Sequence, residues 1–192
     1  MTYYGGKELA AAFRTVRKNT VQIAEDIPEN KYDFKAAPDC RSVKETLAHI
    51  GASTGFQHFV HSTKVTDMRT VNFAELFQRF SAEEQKPRTK AELVAYLTSE
   101  GENFAQFLEG LPESVLAETV TMSPQGGGGT KTRFEMLLGA KEHEMHHRGQ
   151  LMLIERMLGI TPHLTRQMEE RMRARAAASA AVAAATPAAA LR

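Results

Sequence analysis

The chain has 192 residues, of which 42% are apolar, and its 24 basic residues nearly balance its 23 acidic ones. This length and composition predict one compact domain with an ordinary core. The balanced charge offers no strong field to a phosphate backbone or an anionic membrane surface, so neither nucleic acid nor a membrane is expected as a partner. A single cysteine excludes an internal disulfide. Because the N-terminus also lacks the basic-then-apolar order of a signal peptide, we expect a cytoplasmic protein.

The first predicted helix follows Gly5 and Gly6 and stops before Pro28, because proline disfavours helical geometry at the residue that precedes it. The next segment, residues 28–41, is rich in proline, asparagine and aspartate without a sustained period, which predicts a loop. The inward positions of the helix recur at helical spacing: Leu9, Ala12, Phe13, Val16, Thr20 and Ile23.

Three later helices are predicted from a capping box, in which a hydroxyl residue is followed three positions later by glutamate. The hydroxyl accepts from a free backbone N–H of the first turn, and the glutamate reaches back to the cap residue. Each pair precedes a segment with leucine or isoleucine at helical spacing. The predicted helices cover about residues 42–63, 89–109 and 131–158, and the pairs are Ser42 with Glu45, Thr89 with Glu92, and Thr132 with Glu135.

About two dozen residues separate the second and third predicted helices, which is too many for a tight turn and predicts a crossover connection. Phe73, Phe77 and Phe80 within it favour a short helix packed on the bundle, with a flexible lid as the alternative. Residues 126–129 are four glycines, whose backbone freedom suits a loop that borders a site. No period-two segment is strong enough to predict a strand. The expected fold is an all-α four-helix bundle with one long crossover.

The C-terminal part of the chain is predicted to add a helical extension to this bundle. Residues 163–175 follow Pro162 and are compatible with a helix. The alanine-rich tail, residues 176–192, favours helix but supplies little burial, so it is interpreted as a frayed helix or a disordered segment. The predicted domain is therefore residues 1–175.

The fourth predicted helix carries two histidines, His143 and His147, on one face, because a separation of four residues turns an α-helix by only about 40°. Buried together, their imidazole nitrogens need polar partners, which a metal ion would supply. Two structural histidines without a metal are the alternative. The face itself forms a seam that a bundle helix turns inward, made of Met136, Ala140, His143, His147, Gln150, Ile154 and Met157.

A metal site of this type needs a third ligand from another part of the chain. The second predicted helix offers His49, His58 and His61, and spacing alone does not choose among them. His58 and His61 lie near its C-terminal end, where a histidine often interacts favourably with the helix dipole.

Residues 143–147 also match the HExxH pattern of zinc peptidases, with Glu144 as the general base. The extended form of that pattern fails, because Gln150 and Leu153 stand where it requires glycine and histidine. Such peptidases also use a strand-edged cleft, and no strand is predicted. Peptidase activity is therefore disfavoured.

Residues 42–50 (SVKETLAHI) and 143–151 (HEMHHRGQL) together resemble the two signature stretches of the DinB-like, or YfiT-like, family. The resemblance covers about residues 5–160. It implies a four-helix bundle in which one histidine of helix two and the paired histidines of helix four bind a divalent metal, and it thereby indicates His49, His143 and His147 as the ligands. One departure is Arg41, where the family often has tryptophan.

The resemblance also implies what the protein does. One divalent transition metal is expected, and three imidazoles suit zinc, nickel, iron or copper. A remaining open coordination position favours a metal-dependent hydrolase, or a transferase that uses a low-molecular-weight thiol, acting on a small molecule. A homodimer is expected, since related bundles dimerise through helix faces. The alternatives are a non-catalytic metal-clamped bundle, as a binding or stress-related interaction protein, and a metal-free interaction module.

Three further residues of helix four are candidates for contacts with the ligands or the substrate. Glu144 and Arg148 flank the ligand histidines, although an ordinary ion pair on a solvated face is the favoured interpretation of these two. Gln150 lies on the inward seam, where a structural role is an equal alternative. His146 is expected to face outward and not to be a ligand.

Overall fold

The computed structural model describes residues 4–185, which are predominantly helical. A short antiparallel pair of strands, β1 (Thr119–Thr121) and β2 (Thr130–Thr132), lies before the longest helix. The helices of the described residues are α1 (Gly6–Asp26), α2 (Val43–Ser62), α3 (Phe73–Glu84), α4 (Lys90–Glu109), α5 (Glu113–Leu116), α6 (Arg133–Met157) and α7 (His163–Ala185).

The predicted capping boxes begin three of the four long bundle helices. Ser42, Thr89 and Thr132 each accept a hydrogen bond from the backbone N–H three residues later, and the glutamate there accepts from the cap residue. At the start of α1 the carboxylate of Glu8 accepts from the Gly5 N–H at 2.8 Å. These bonds satisfy free donors of the first turn, which is why the starts could be predicted from local sequence.

Four helices, α1, α2, α4 and α6, form the bundle. Both α1 and α2 pack against α4 and against α6, so α1 and α2 occupy opposite corners. The chain passes from α2 to α4 through α3, which packs on α2. This confirms the all-α four-helix bundle with a long crossover. Burial of apolar side chains between the helices stabilises it, and fully or almost fully buried examples are Phe13, Leu47, Ile50, Leu97, Leu137 and Leu151.

The phenylalanine-rich crossover forms a helix packed on the bundle, as expected. At the contact between α3 and α2, a Cβ built on Gly55 would lie only 2.8 Å from Cε1 of Phe80. The missing side chain of Gly55 therefore lets the two helices approach closely.

The expectation that the chain has no strand was wrong. Thr119 pairs with Thr132 in an antiparallel hairpin, and α6 consequently begins at Arg133, after β2. The loop of this hairpin contains Gly127, Gly128 and Gly129, all with positive φ. Glycine adopts this conformation without steric cost. Each strand has only three residues, too few to produce a recognisable period-two pattern.

The predicted C-terminal helix is present as α7 and continues through Ala185, so the alanine-rich tail is helical as far as that residue. The rest of the tail, residues 186–192, lies outside the described residues. Two contacts join α7 to α1: Arg166 to Asp26 at 2.6 Å, and Nε2 of His163 to Asn19 at 3.1 Å. Among the described residues, no helix is both long and apolar enough to cross a membrane.

Candidate metal centre

The structure brings His49 of α2 together with His143 and His147 of α6. Nε2 of His143 lies 3.1 Å from Nε2 of His49 and 3.2 Å from Nε2 of His147. The three side chains form a group whose ligand atoms all lie within 4.8 Å of one another. Two helices that are distant in sequence thus present three imidazoles to one point.

The opposite ring nitrogens of two of these histidines have hydrogen-bond partners. Nδ1 of His49 donates to Oε1 of Glu84 at 2.7 Å, and Nδ1 of His147 donates to Oε1 of Gln150 at 2.8 Å. A carboxylate oxygen and an amide oxygen are acceptors, so the proton is assigned to Nδ1 in both rings. Nε2 of each then carries a lone pair directed at the common point.

This donor set fits a divalent transition metal. The Nε2 lone pairs of His49 and His147 converge on one small volume. They repel each other unless a cation, or a proton on His143, lies between them. Nitrogens bonded to a tetrahedral zinc at about 2.0–2.1 Å lie roughly 3.3–3.4 Å apart. The observed Nε2 separations of 3.1 and 3.2 Å are close to that spacing.

Burial favours the neutral form of His143 and of His147. It lowers the pKa of His143 to about 4, with further lowering by the charges of neighbouring histidines. Burial is also the largest cause of the lowered pKa of His147, and the hydrogen bond with Gln150 partly opposes it. Metal coordination requires unprotonated imidazole, so both rings are available at neutral pH without losing a proton.

Glu144 lies inside the bundle, and its predicted ion pair with Arg148 was wrong. Its side chain is 1% exposed, and its two oxygens accept from Nε and Nη2 of Arg17 at 2.9 and 3.0 Å. One helical step of about 100° separates Glu144 from His143, which directs it towards α1. Its carboxylate is therefore not placed as the general base of a zinc peptidase.

Gln150 is exposed, although the seam predicted it to be buried, and Met157 at the end of the seam is 52% exposed. Ile154, which lies between them on the seam, is 5% exposed, so the predicted inward face is correct at Ile154 and wrong at Gln150 and Met157. Gln150 nevertheless contacts the site through His147. Its amide nitrogen is 3.2 Å from Nε2 of His146, which is exposed as expected.

The other histidines of α2 lie apart from this group. His58 is exposed, and its ring packs on Phe107 with centroids 4.6 Å apart. His61 is buried between Gln57 and Arg133, and burial lowers its pKa to about 4. His61 lies at the C-terminal end of α2, as expected, but its ring packs inside the protein.

A cavity of about 480 Å³ adjoins the histidines and is lined by His49 and His143. Aromatic side chains of the crossover helix and of α2 form much of its wall, and Arg41 and Glu84 line it too. Such a volume suits a small-molecule ligand. The histidine group therefore borders a cavity that is large enough for a small molecule.

Two residues of the site were not predicted from the sequence. Arg17 stands in the apolar stripe of α1, and a charge at an inward position was a signal that could have been noticed. Glu84 had no such signal, because its contact with His49 joins positions 35 residues apart. Arg148, which was predicted as a candidate, is half-buried, and its charge helps to lower the pKa of His163, for which burial is the largest cause.

Residues 12–151 match the DinB superfamily. The chain belongs to this superfamily. Its relative YjoA of Bacillus subtilis, an uncharacterized protein, is 28% identical over 154 residues, which cover 80% of this chain and 91% of YjoA. The crystal structure of YjoA, a DinB-like protein, superposes with a TM-score of 0.61 at 25% identity, covering 80% of this chain and 94% of that one.

Two further solved structures share the fold. YfiT from Bacillus subtilis, described as a probable metal-dependent hydrolase with an unusual four-helix bundle topology, has a TM-score of 0.64 at 12% identity, covering 84% of this DinB-superfamily chain and 91% of YfiT. The mycothiol-dependent maleylpyruvate isomerase has a TM-score of 0.57 at 13% identity, covering 79% of this chain and 63% of the isomerase. At these identities the likeness is one of fold alone.

Proposed function

We propose that this protein is a metal-dependent enzyme that acts on a small molecule in the cavity beside His49 and His143. One divalent transition metal is bound by Nε2 of His49, His143 and His147. The observation that carries the proposal is the convergence of these three atoms, with Nδ1 of His49 and of His147 already occupied by Glu84 and Gln150.

The ligand set favours catalysis over a structural clamp. Closed structural sites use four protein ligands, whereas catalytic sites use three and keep one position open. The metal-ligand group found among residues 4–185 consists of three histidines. When bound, a metal in this position supplies the Lewis acidity that makes a water or a thiol nucleophilic near neutral pH.

The protein's own residues orient the ligands and enclose the substrate. Glu84 and Gln150 hold the imidazoles of His49 and His147 in the tautomer and orientation that direct Nε2 inward. Phe56 and Phe80 line the adjoining cavity, and their apolar rings lower the local dielectric constant, which strengthens electrostatic interactions there. Hydrolysis and thiol transfer both use this arrangement. YfiT supports the first reaction, and the mycothiol-dependent isomerase supports the second.

The proposal is tested by measuring the metal content per chain. The protein is incubated with zinc, nickel or iron(II) under reducing conditions and analysed by plasma mass spectrometry. We expect about one equivalent in the wild type and a loss of most of it in His49→Ala and in His147→Ala. His58→Ala, an exposed histidine of the same helix as His49, is the matched control and should retain the metal. A wild type that binds none of these metals would refute the proposal.

Activity is then screened on the metal-loaded protein with two probe reactions. One is hydrolysis of p-nitrophenyl esters, and the other is conjugation of chlorodinitrobenzene to glutathione or cysteine. Turnover that needs both the metal and His147 supports an enzyme. Full metal loading without turnover of any such probe, together with a fourth protein ligand in the loaded structure, would favour the metal-clamped bundle.

A further inference from the structure

Arg41 lies between two cavities at the metal centre. It precedes the cap residue of α2, is exposed, and lines both the cavity beside the histidines and a second cavity of about 670 Å³. Within residues 4–185, no hydrogen bond or ion pair engages its guanidinium. Arg41 is therefore a cation that can bind an anion entering from either side.

The other cations on the wall of the second cavity already have partners. Lys35 pairs with Glu45, and Lys44 pairs with Asp33. Two more cations of this wall, Lys86 and Arg88, both pair with Glu83. These pairs compensate most of the local positive charge and leave Arg41 as the wall's cation without a carboxylate partner in the described part of the chain.

Arg41 is also near the ligand histidines. Burial is the largest cause of the lowered pKa of His143 and of His147, and the charge of Arg41 contributes to the lowering in both. A guanidinium has five N–H donors in a planar fork, which suits bidentate binding of a carboxylate. An anionic group bound there would lie beside the metal centre.

Aromatic side chains form another part of the wall of the cavity beside the histidines, and some of them also line a larger cavity. Phe56 and Phe77 line both the cavity at the histidines and a cavity of about 760 Å³ that extends to Met122 and Met136. Phe77 is 64% exposed. Ligand pockets are lined mainly by apolar and aromatic side chains. The two cavities share the side chains of Phe56 and Phe77, and we call the wall formed by Phe56, Phe77, Met122 and Met136 the phenylalanine groove.

We propose that the substrate is an amphipathic organic acid, whose carboxylate binds Arg41 and whose aryl or alkyl group lies in the phenylalanine groove. The metal centre then lies between the two ends of the bound molecule. This proposal rests on the proposed function, because it assigns the substrate class of the same site. It follows from the positive charge of Arg41 and from the aromatic side chains that line the same cavity as Arg41, His49 and His143.

Calorimetric titration with two matched probes tests the assignment: naphthoate, which carries the carboxylate, and naphthamide, which does not. Each is titrated into zinc-loaded and metal-free protein. We expect the wild type to bind naphthoate about tenfold more tightly than naphthamide, with a preference that survives without zinc. Arg41→Met should abolish the preference of the metal-free protein. Phe77→Ala should weaken the binding of both probes by about tenfold or less.

Two controls separate these effects from a general change of surface. Lys18→Met removes an exposed cation of α1, and Met168→Ala removes an exposed apolar side chain of α7. Both should bind the probes like the wild type. Equal affinity of the wild type for the two probes, or a preference unchanged in Arg41→Met, would overturn the proposal. So would a preference present only with zinc, because the carboxylate would then be bound by the metal.

The metal content of the same samples distinguishes the two proposals. Absence of bound zinc refutes the proposed function, while the metal-free titrations still report on Arg41 and Phe77. A full complement of zinc with no effect of Arg41→Met leaves the proposed function intact and refutes only the substrate class.

Discussion

Arg17 of α1 and Glu144 of α6 form a two-bond ion pair inside the bundle, with side chains that are 5% and 1% exposed. Arg17 also donates to the backbone carbonyl of Leu97 at 2.6 Å and to that of Ile50 at 3.4 Å. One guanidinium thus joins all four bundle helices beside His143. The pair helps to fix the position of α6, and therefore that of His143 and His147, which α6 carries.

Removing Arg17 should destabilise the protein strongly. Arg17→Met leaves the carboxylate of Glu144 buried without its counter-charge, which costs about 3–5 kcal/mol of unfolding free energy in urea denaturation. The double variant Arg17→Met with Glu144→Leu should be more stable than this single variant, because no charge remains buried. Arg14→Ala, which breaks an exposed pair with Glu102, is the control and should have a much smaller effect. A similar loss in both arginine variants would contradict this prediction.

The hydrogen bonds to Nδ1 should set the metal affinity. Glu84→Leu removes the acceptor for His49 and should weaken zinc binding about 10- to 100-fold in competition with a chromophoric chelator. Glu84→Gln keeps an acceptor oxygen and should therefore lose less zinc affinity than Glu84→Leu. Gln150→Leu should act in the same direction through His147. Gln78→Leu, an exposed residue of the same helix as Glu84, should leave the affinity unchanged; a loss as large as that of Glu84→Leu would indicate a general effect of altering α3.

Glu155 should make stability depend on pH. Its carboxyl is fully buried, and neither oxygen has a hydrogen-bond partner among the described residues. Burial raises its pKa to about 7, helped by the charge of Asp26 and opposed by those of Arg166 and Arg156. Because the folded pKa lies above the unfolded value of about 4.5, the group's stabilising contribution is complete below that value and is lost as the pH rises through 7.

Glu155→Gln removes this titration. The variant should gain stability relative to the wild type between pH 5 and pH 8, by on the order of 2 kcal/mol, measured as urea unfolding free energy at both values. If the difference in unfolding free energy between the variant and the wild type is the same at pH 5 and pH 8, Glu155 is not the titrating group.

Two glycines of the long helices should respond oppositely to alanine. A Cβ on Gly6 would lie 2.5 Å from the backbone oxygen of Leu108, whereas a Cβ on Gly149 would have no neighbour within 4 Å. Gly6→Ala should therefore destabilise the protein by about 1–3 kcal/mol through overpacking. Gly149→Ala should stabilise it by about 0.5–1 kcal/mol, since alanine is the better helix former. Thermal unfolding measures the stability of both variants. Stability changes of the same sign in Gly6→Ala and Gly149→Ala would contradict the packing argument.

Self-association remains a prediction. Leu153 and Met157 are 59% and 52% exposed, and they lie four residues apart on α6. If this face forms the homodimer, sedimentation equilibrium should give a dimer for the wild type and a monomer for the double variant Leu153→Asp with Met157→Asp. A wild type that sediments as a monomer at micromolar concentration would rule out the dimer.

The elements that could be predicted from sequence depend on residues within four positions of each other. Ser42, Thr89 and Thr132 mark helix starts because their caps are closed by a glutamate three residues later. His143 and His147 share a face because four residues make almost one turn. The resemblance to a known family was needed to choose His49 over His58, since on an isolated helix both offer the same imidazole.

The expectations that failed concern residues whose environment another element decides. Glu144 has Arg148 within reach on its own helix, yet it binds Arg17, which is 127 residues away in sequence, because packing of α1 against α6 buries both. The three-residue strands exist because Thr119 and Thr132 meet across a glycine loop. Neither partner is visible in a local pattern.

The sequence by itself determined the helices, their starts and the paired histidines of α6, because each depends on backbone geometry within one or two turns. Only the tertiary structure decided that Glu144 contacts Arg17, that Glu84 orients His49, and that Arg41 lies beside a phenylalanine-lined cavity. The physical reason is that contacts between distant residues depend on how the helices pack together, and the free energy of that packing is shared by the whole core rather than by any one segment.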